Sequence, residues 1–119
     1  MTTKEIIKRY YDGIAHKDGW QSIISDEITF TGAGPSTKGK DAYITATTRF
    51  LGSVKGSSIT DLIIEGNKAC ALVNYELLSP KGNTANCVVA EILKVNEDKI
   101  TASTIFFDTA AFRNFIAQG

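Results

Sequence analysis

The chain is short of the residues that most often announce a mechanism. Its 119 residues include one histidine, two cysteines, two prolines and one methionine. A lone histidine and two cysteines argue against a structural zinc site, so no metal is expected. There is no surplus of charge of either sign: lysine plus arginine and aspartate plus glutamate number 13 each. A nucleic-acid binder needs excess cations to neutralise phosphates, so that partner class is set aside. Neutrality also raises no electrostatic barrier to self-association. No apolar run has the length of a signal peptide or a membrane span. The expectation is therefore a cytoplasmic protein with no membrane partner, whose cysteines stay as thiols.

What is present is ordinary for a soluble globular chain: 43% hydrophobic and 22% charged residues. The length suits one domain over residues 1–119. A domain of this size buries roughly two-thirds of its unfolded surface, so a single core is feasible without staples.

Three helices open the chain. Thr2 and Glu5 form a capping box ahead of Ile6, Ile7, Tyr10, Tyr11 and Ile14, which recur at helical spacing. Gly13 within this helix costs up to about 1 kcal/mol against alanine, which points to close packing there. Lys17-Asp18-Gly19 ends it, and Trp20, Ile23 and Ile24 suggest a short second helix finishing near Ser25. Ile28–Thr31 alternates as a strand, Gly32–Gly39 is a loop, and Tyr43, Ile44, Thr47, Phe50 and Leu51 mark a third helix closed by Gly52. The Gly32–Gly39 glycines lack the ending of a phosphate-binding loop. The period then switches. Strands are expected over residues 59–65, 69–79, 84–95 and 100–108, followed by a closing helix from Thr109 to about Gln118. His16 reads as a solvated residue beyond the first helix.

Pro80-Lys81-Gly82 sets a register. A three-residue hairpin loop favours a type I turn followed by a left-handed residue, the places Pro80 and Gly82 suit. Ser79 then faces Asn83, and counting outward pairs Leu77 with Ala85, Tyr75 with Cys87, Val73 with Val89, Ala71 with Glu91 and Ala69 with Leu93. The odd positions share one face, apolar except for Glu91 and the Tyr75 hydroxyl, and that face is expected to be the core. Cys70 and Cys87 fall on opposite faces and cannot be bridged. The next turn leaves two registers open: Glu91 faces Ser103 if the loop has three residues, or Thr104 if it has two or four.

Helices first, a curved meander of long strands next and an aromatic helix last resemble the nuclear transport factor two-like superfamily, which includes SnoaL-like polyketide cyclases and ketosteroid isomerases. The resemblance rests on Ile6-Ile7-Lys8-Arg9-Tyr10-Tyr11, on Asp18, Trp20 and Asp26-Glu27-Ile28-Thr29-Phe30, on Gly39-Lys40-Asp41-Ala42, and on Phe106-Phe107-Asp108-Thr109-Ala110-Ala111-Phe112. It implies an α+β cone in which a curved antiparallel sheet wraps around the N-terminal helix and leaves an apolar pocket at the open end.

The resemblance also implies roles. Tyr10 matches a helix-one tyrosine that donates to the substrate oxygen. Glu91 matches a carboxylic acid sharing that oxyanion hole, an aspartate in the isomerases. Gly32 falls where their general-base aspartate belongs, which speaks against steroid isomerisation. The expected site is therefore Glu91 and Tyr10 as catalytic groups, with Trp20, Phe30, Val73, Tyr75, Val89, Ser103, Ile105, Phe107 and Phe112 as ligand-binding walls. A carboxyl in an apolar cavity should have a raised pKa and can donate to a carbonyl when protonated. The expected ligand is a small apolar carbonyl compound. The expected chemistry is isomerisation, dehydration or cyclisation without a cofactor. The alternative is a non-catalytic binding or interaction module. Leu72, Leu78, Val88, Ala90, Ile92 and Phe106 make the even face too apolar for solvent, which suggests a homodimer packed through it.

Overall fold

The structure, a computed structural model, describes residues 1–118. Helix α1 (Thr3–His16) begins where the capping box places it. The Thr2 hydroxyl accepts from the Glu5 amide at 3.1 Å and donates to the Glu5 carboxylate at 3.1 Å, so the box closes on the hydroxyl rather than on the Thr2 amide. Lys17, in the left-handed region at φ 61°, stops the helix. The expected second helix shrinks to a single tight turn, Gln21–Ile23, because strand β1 (Ile24–Thr31) starts at Ile24 rather than at Ile28. After a two-residue strand β2 (Thr37–Lys38) comes helix α2 (Lys40–Leu51). The long strands follow as β3 (Val54–Glu65), β4 (Lys68–Leu78), β5 (Thr84–Asn96) and β6 (Lys99–Phe106), and helix α3 (Thr109–Gln118) closes the described chain.

The strands form a six-stranded sheet in the order β2-β1-β6-β5-β4-β3. The expected antiparallel meander holds from β3 to β6, but β1 joins β6 in parallel, with Phe30 beside Ser103. The chain must cross through α2 to the far edge and return before β1 finds its neighbour. Helix α1 packs on β3 and β4, and its Ile6, Ile7, Tyr10, Tyr11 and Ile14 are all buried. The α+β cone is thus the observed architecture.

The β4–β5 hairpin has the register its turn specifies. Gly82 takes φ 86°, and Ser79 and Asn83 close the ladder with a 2.8 Å backbone bond. Val73 pairs with Val89 and Ala71 with Glu91, and the odd residues of β4 face inward. The β5–β6 hairpin follows neither expected register. Glu97 and Asp98 both sit in the left-handed region and make a two-residue turn, as in a type I′ hairpin. A bulge between Lys94 and Val95 then shifts the ladder by one residue, so that Glu91 lies opposite Ile105 and Leu93 opposite Ser103. A bulge inserts a residue and bends the strand, which helps the sheet curl around α1.

Gly13 is where α1 meets the segment that follows it. A Cβ there would lie 2.6 Å from the Trp20 backbone nitrogen. Trp20 is fully buried, and its indole nitrogen has no hydrogen-bond partner among the described residues.

Candidate active site

Helix spacing and strand alternation bring one acid and several hydroxyls together inside the cone. Position 91 lies on the inward face of β5. Glu91 is buried among apolar side chains and is 4% exposed. Both of its oxygens are engaged. The Tyr11 hydroxyl donates to Oε1 at 2.5 Å and the Ser103 hydroxyl donates to Oε2 at 2.5 Å. Ser103 reaches the carboxylate diagonally, two residues before the true ladder partner Ile105. The hydroxyl expected beside Glu91 is present, therefore, although the ladder register is different.

Tyr10 and Glu91 bond different partners. The Tyr10 hydroxyl bonds the Tyr43 hydroxyl at 2.5 Å, and Tyr11 takes the carboxylate. Adjacent helical residues point about 100° apart, and the roll of α1 against β3 and β4 decides which tyrosine meets β5. Thr47 and Ser103 place their hydroxyls near that of Tyr43. The polar groups therefore form two neighbouring sets, Tyr11–Glu91–Ser103 and Tyr10–Tyr43.

A cavity of about 190 Å³ opens beside this network. Glu91, Tyr10, Tyr43, Thr47 and Tyr75 supply its polar groups. Phe30, Phe50, Val89, Ile105, Phe107 and Phe112 form most of its apolar wall, completed by Ile14, Ala46, Leu51 and Cys87. The rings interlock edge to face: Phe50 and Tyr75 lie 5.0 Å apart, and Phe107 and Phe112 lie 5.7 Å apart. An apolar cavity of about 150 Å³ holds a benzene ring, so the enclosed volume suits a one-ring group.

Of the residues expected from the sequence, Glu91, Tyr10, Phe30, Tyr75, Val89, Ile105, Phe107 and Phe112 line this cavity. Trp20, Val73 and Ser103 are buried outside its wall. Trp20 stacks edge-on behind Tyr10 and Tyr43 at 6.3 and 6.2 Å, and so supports the two rings rather than a ligand. Tyr11, Tyr43, Thr47 and Phe50 were not among the expected site residues. The apolar stripe Tyr43, Thr47, Phe50 and Leu51 was the available signal, since a helix face that includes a hydroxyl every fourth residue can line a site as well as a core. Gly32 follows β1, and a Cβ there would lie 3.1 Å from Ile105 and 3.3 Å from the Phe30 ring. Its bareness leaves those two cavity residues room.

Burial governs the ionisation of the site. Desolvation lifts the Glu91 carboxyl above its ordinary value, and the bonds from Ser103 and Tyr11 offset this only in part. Desolvation is likewise the largest cause that lifts Tyr10, Tyr11, Tyr43 and Tyr75, with the nearby Glu91 charge adding to each, so these phenols hold their protons. Cys87 is also pushed up, first by desolvation and then by Asp108. No lysine, arginine or histidine lines the cavity. Among the described residues, no group of three histidine, cysteine, aspartate or glutamate side chains is placed to hold a metal ion. No helix among them is long and apolar enough to cross a membrane.

A curved six-stranded sheet around a first helix is the nuclear transport factor two-like cone fold. Solved structures share it across nearly the whole chain. A candidate SnoaL-like polyketide cyclase from a Jannaschia species superposes with a TM-score of 0.84 at 11% identity, covering 98% of this chain and 92% of that one. A nuclear transport factor two-like protein from Burkholderia thailandensis gives 0.82 at 20% identity, covering 96% of each chain. TerC, co-crystallised with polyporic acid, gives 0.81 at 20% identity, covering 97% and 98%. At these identities the likeness establishes the fold. The SnoaL-like domain family matches residues 7–103, and the chain belongs to that family. No curated protein matches it in sequence.

Proposed function

We propose that the protein binds a small, apolar, carbonyl-bearing compound in the cone and moves a proton on its carbon skeleton without a cofactor. The observation that carries this reading is a buried carboxyl with a raised pKa on the wall of an apolar cavity. An ionised carboxylate offers about four lone-pair sites, and Tyr11 and Ser103 occupy two. Capacity remains for a third bond directed into the cavity. In this reading Glu91 takes or returns the proton, and Tyr10, paired with Tyr43, polarises the carbonyl. With no cation on the wall, nothing compensates a bound anion, so a neutral ligand is favoured. The family includes proteins described as polyketide cyclases, and a protein of the same fold was crystallised with an organic ligand. Both fit carbon-skeleton chemistry.

A second reading is a binding module without turnover. Gly32 supports it, because the end of β1 carries no carboxylate that could serve as a separate base. One variant separates the two. In a thermal-shift screen of one-ring ketones and enones, hits should stabilise the wild type. Glu91→Gln should keep binding within a few-fold while turnover falls roughly 10²–10⁴-fold, the usual contribution of a general acid–base group. Binding without turnover in the wild type selects the second reading. No hit at all removes both.

We also propose a homodimer through the outer sheet face. Leu72, Ala90 and Phe106 stand in one row across β4, β5 and β6, flanked on β5 by Val88 and Ile92. Phe106 is 60% exposed and Val88 55%. An apolar patch running over three strands is more than isolated surface hydrophobes account for.

A further inference from the structure

We propose that Tyr75 is a binding residue for a second ligand oxygen, so that the cavity selects a one-ring compound carrying two oxygen acceptors on separate carbons. The inference rests on the reading of the cavity as a ligand site, and it narrows the class of ligand. Most hydroxyls inside the cone are already engaged. Tyr11 and Ser103 donate to Glu91, and Tyr10 and Tyr43 bond each other. Thr47 is only partly buried and lies near Tyr43. Tyr75 lines the cavity and is 7% exposed, and its hydroxyl has no hydrogen-bond partner among the described residues.

Among those residues, the Trp20 indole nitrogen is the one buried side-chain atom that is both sealed off and unpartnered. The Tyr75 hydroxyl, also without a partner, therefore opens on accessible space, and on the inward face of β4 that space is the cavity. Phe50 packs edge-on against the Tyr75 ring at 5.0 Å and 86°, and lies 6.2 Å from Phe112. Packing thus holds the ring and leaves the hydroxyl for a ligand. Burial lifts the phenol above its ordinary value, and the Glu91 charge adds to this, so the hydroxyl keeps its hydrogen and can donate. A ligand that fills the cavity strips this hydroxyl of solvent, and a hydroxyl desolvated without a partner is costly. A ligand with an oxygen at that place avoids the cost.

Tyr75 pairs with Cys87, and Ala71 pairs with Glu91. Tyr75 and Glu91 therefore enter the cavity four ladder rows apart, about 13 Å along the strands. No hydrogen bond joins the two side chains, whose partners are otherwise accounted for. A ligand meets them at different atoms. One oxygen lies with Glu91 and Tyr10, where the proton is moved, and the other with Tyr75, which fixes which way round the ring sits. No lysine, arginine or histidine lines the wall, so both oxygens belong to neutral groups such as two carbonyls.

The test compares cyclohexane-1,4-dione with cyclohexanone by calorimetric titration of the wild type and of Tyr75→Phe, which keeps the ring packed on Phe50. Loss of one neutral hydrogen bond should weaken dione binding roughly three- to tenfold and leave cyclohexanone within about twofold. Equal weakening of both means that Tyr75 holds the single carbonyl, and no weakening of either means that it is plain wall. Each result overturns the second-oxygen site while the ligand-site reading stands. A ligand-free measurement checks the hydroxyl itself. Removing an unpartnered hydroxyl should leave the Tm of Tyr75→Phe at or above wild type, whereas Tyr11→Phe, which breaks a bond to Glu91, should lower it. A drop in Tyr75→Phe as large as in Tyr11→Phe means that the hydroxyl is engaged within the protein, which overturns the proposal without any ligand. If neither compound binds the wild type, the ligand-site reading falls and the second-oxygen site falls with it.

Discussion

Two neighbouring side chains, Tyr10 and Tyr11, divide the work of the interior. The sequence shows both on the buried stripe of a helix but carries no information on its roll, so which of them meets Glu91 is a tertiary fact. The difference is measurable. Tyr11→Phe removes a bond that favours the ionised carboxylate and leaves Oε1 with one donor fewer. It should cost about 1–3 kcal/mol and raise the Glu91 midpoint further. Tyr10→Phe should leave that midpoint closer to wild type. Denaturant unfolding and a carboxyl ¹³C titration read the two effects. Glu91 also sets a pH dependence of stability. Its folded pKa is raised, so its stabilising share is complete below the unfolded carboxyl value of about 4.3 and is lost as pH rises through the folded value. Glu91→Gln lacks that slope. The stability difference between variant and wild type should therefore shift in favour of the variant as pH rises from the unfolded carboxyl value through the raised folded one. A constant difference would mean that the carboxyl has the same pKa folded and unfolded.

Elements were legible in the sequence to the degree that local chemistry specifies them. The β4–β5 register follows from Pro80 and Gly82, because a loop with a left-handed glycine admits few geometries. The β5–β6 register does not follow from anything local. Asp98 is of a type that tolerates the left-handed region, but Glu97 enters it without any such signal, and the bulge answers the curvature of the whole sheet. The shortened second helix has a similar cause: Ile24 belongs to β1 because β6 is there to pair with it. Gly13 was readable as a close approach, and its partner is the backbone of Trp20. Gly13→Ala should gain up to about 1 kcal/mol of helix propensity. It should lose more to overpacking, which runs to about 1–3 kcal/mol, because backbone rather than a flexible side chain must yield. The expected outcome is a Tm several degrees below wild type, with α1 still helical by circular dichroism.

At the scale of the molecule, the inward carboxyl was foreseeable from hydrophobic alternation and the Pro80–Gly82 turn, while the cone and its cavity were foreseeable only through the family resemblance. The contribution of α2 to the cavity was not, since an apolar helix stripe reads the same whether it meets a core or a space. The apolar outer face was equally visible in the alternation. Val88→Glu places a charge at the centre of that face. If two copies pack there, the wild type should run at twice its 12.9 kDa mass in sedimentation at micromolar concentration and the variant at 12.9 kDa, with the fold retained. A monomeric wild type would sink the dimer.

The parallel seam between β1 and β6 constrains the order in which the chain can fold. Phe30 cannot reach its neighbour Ser103 until β6 exists, and pairings so distant in sequence are slow to close. The β3–β6 meander can form from local hairpins, but the seam waits for almost the whole chain. Phe30 and Ile105, which face the cavity from the two sides of that seam, come together only at the end. During synthesis the cavity is therefore among the last parts of the protein to form, and until the seam closes the inner faces of the long strands remain open to solvent and to other chains.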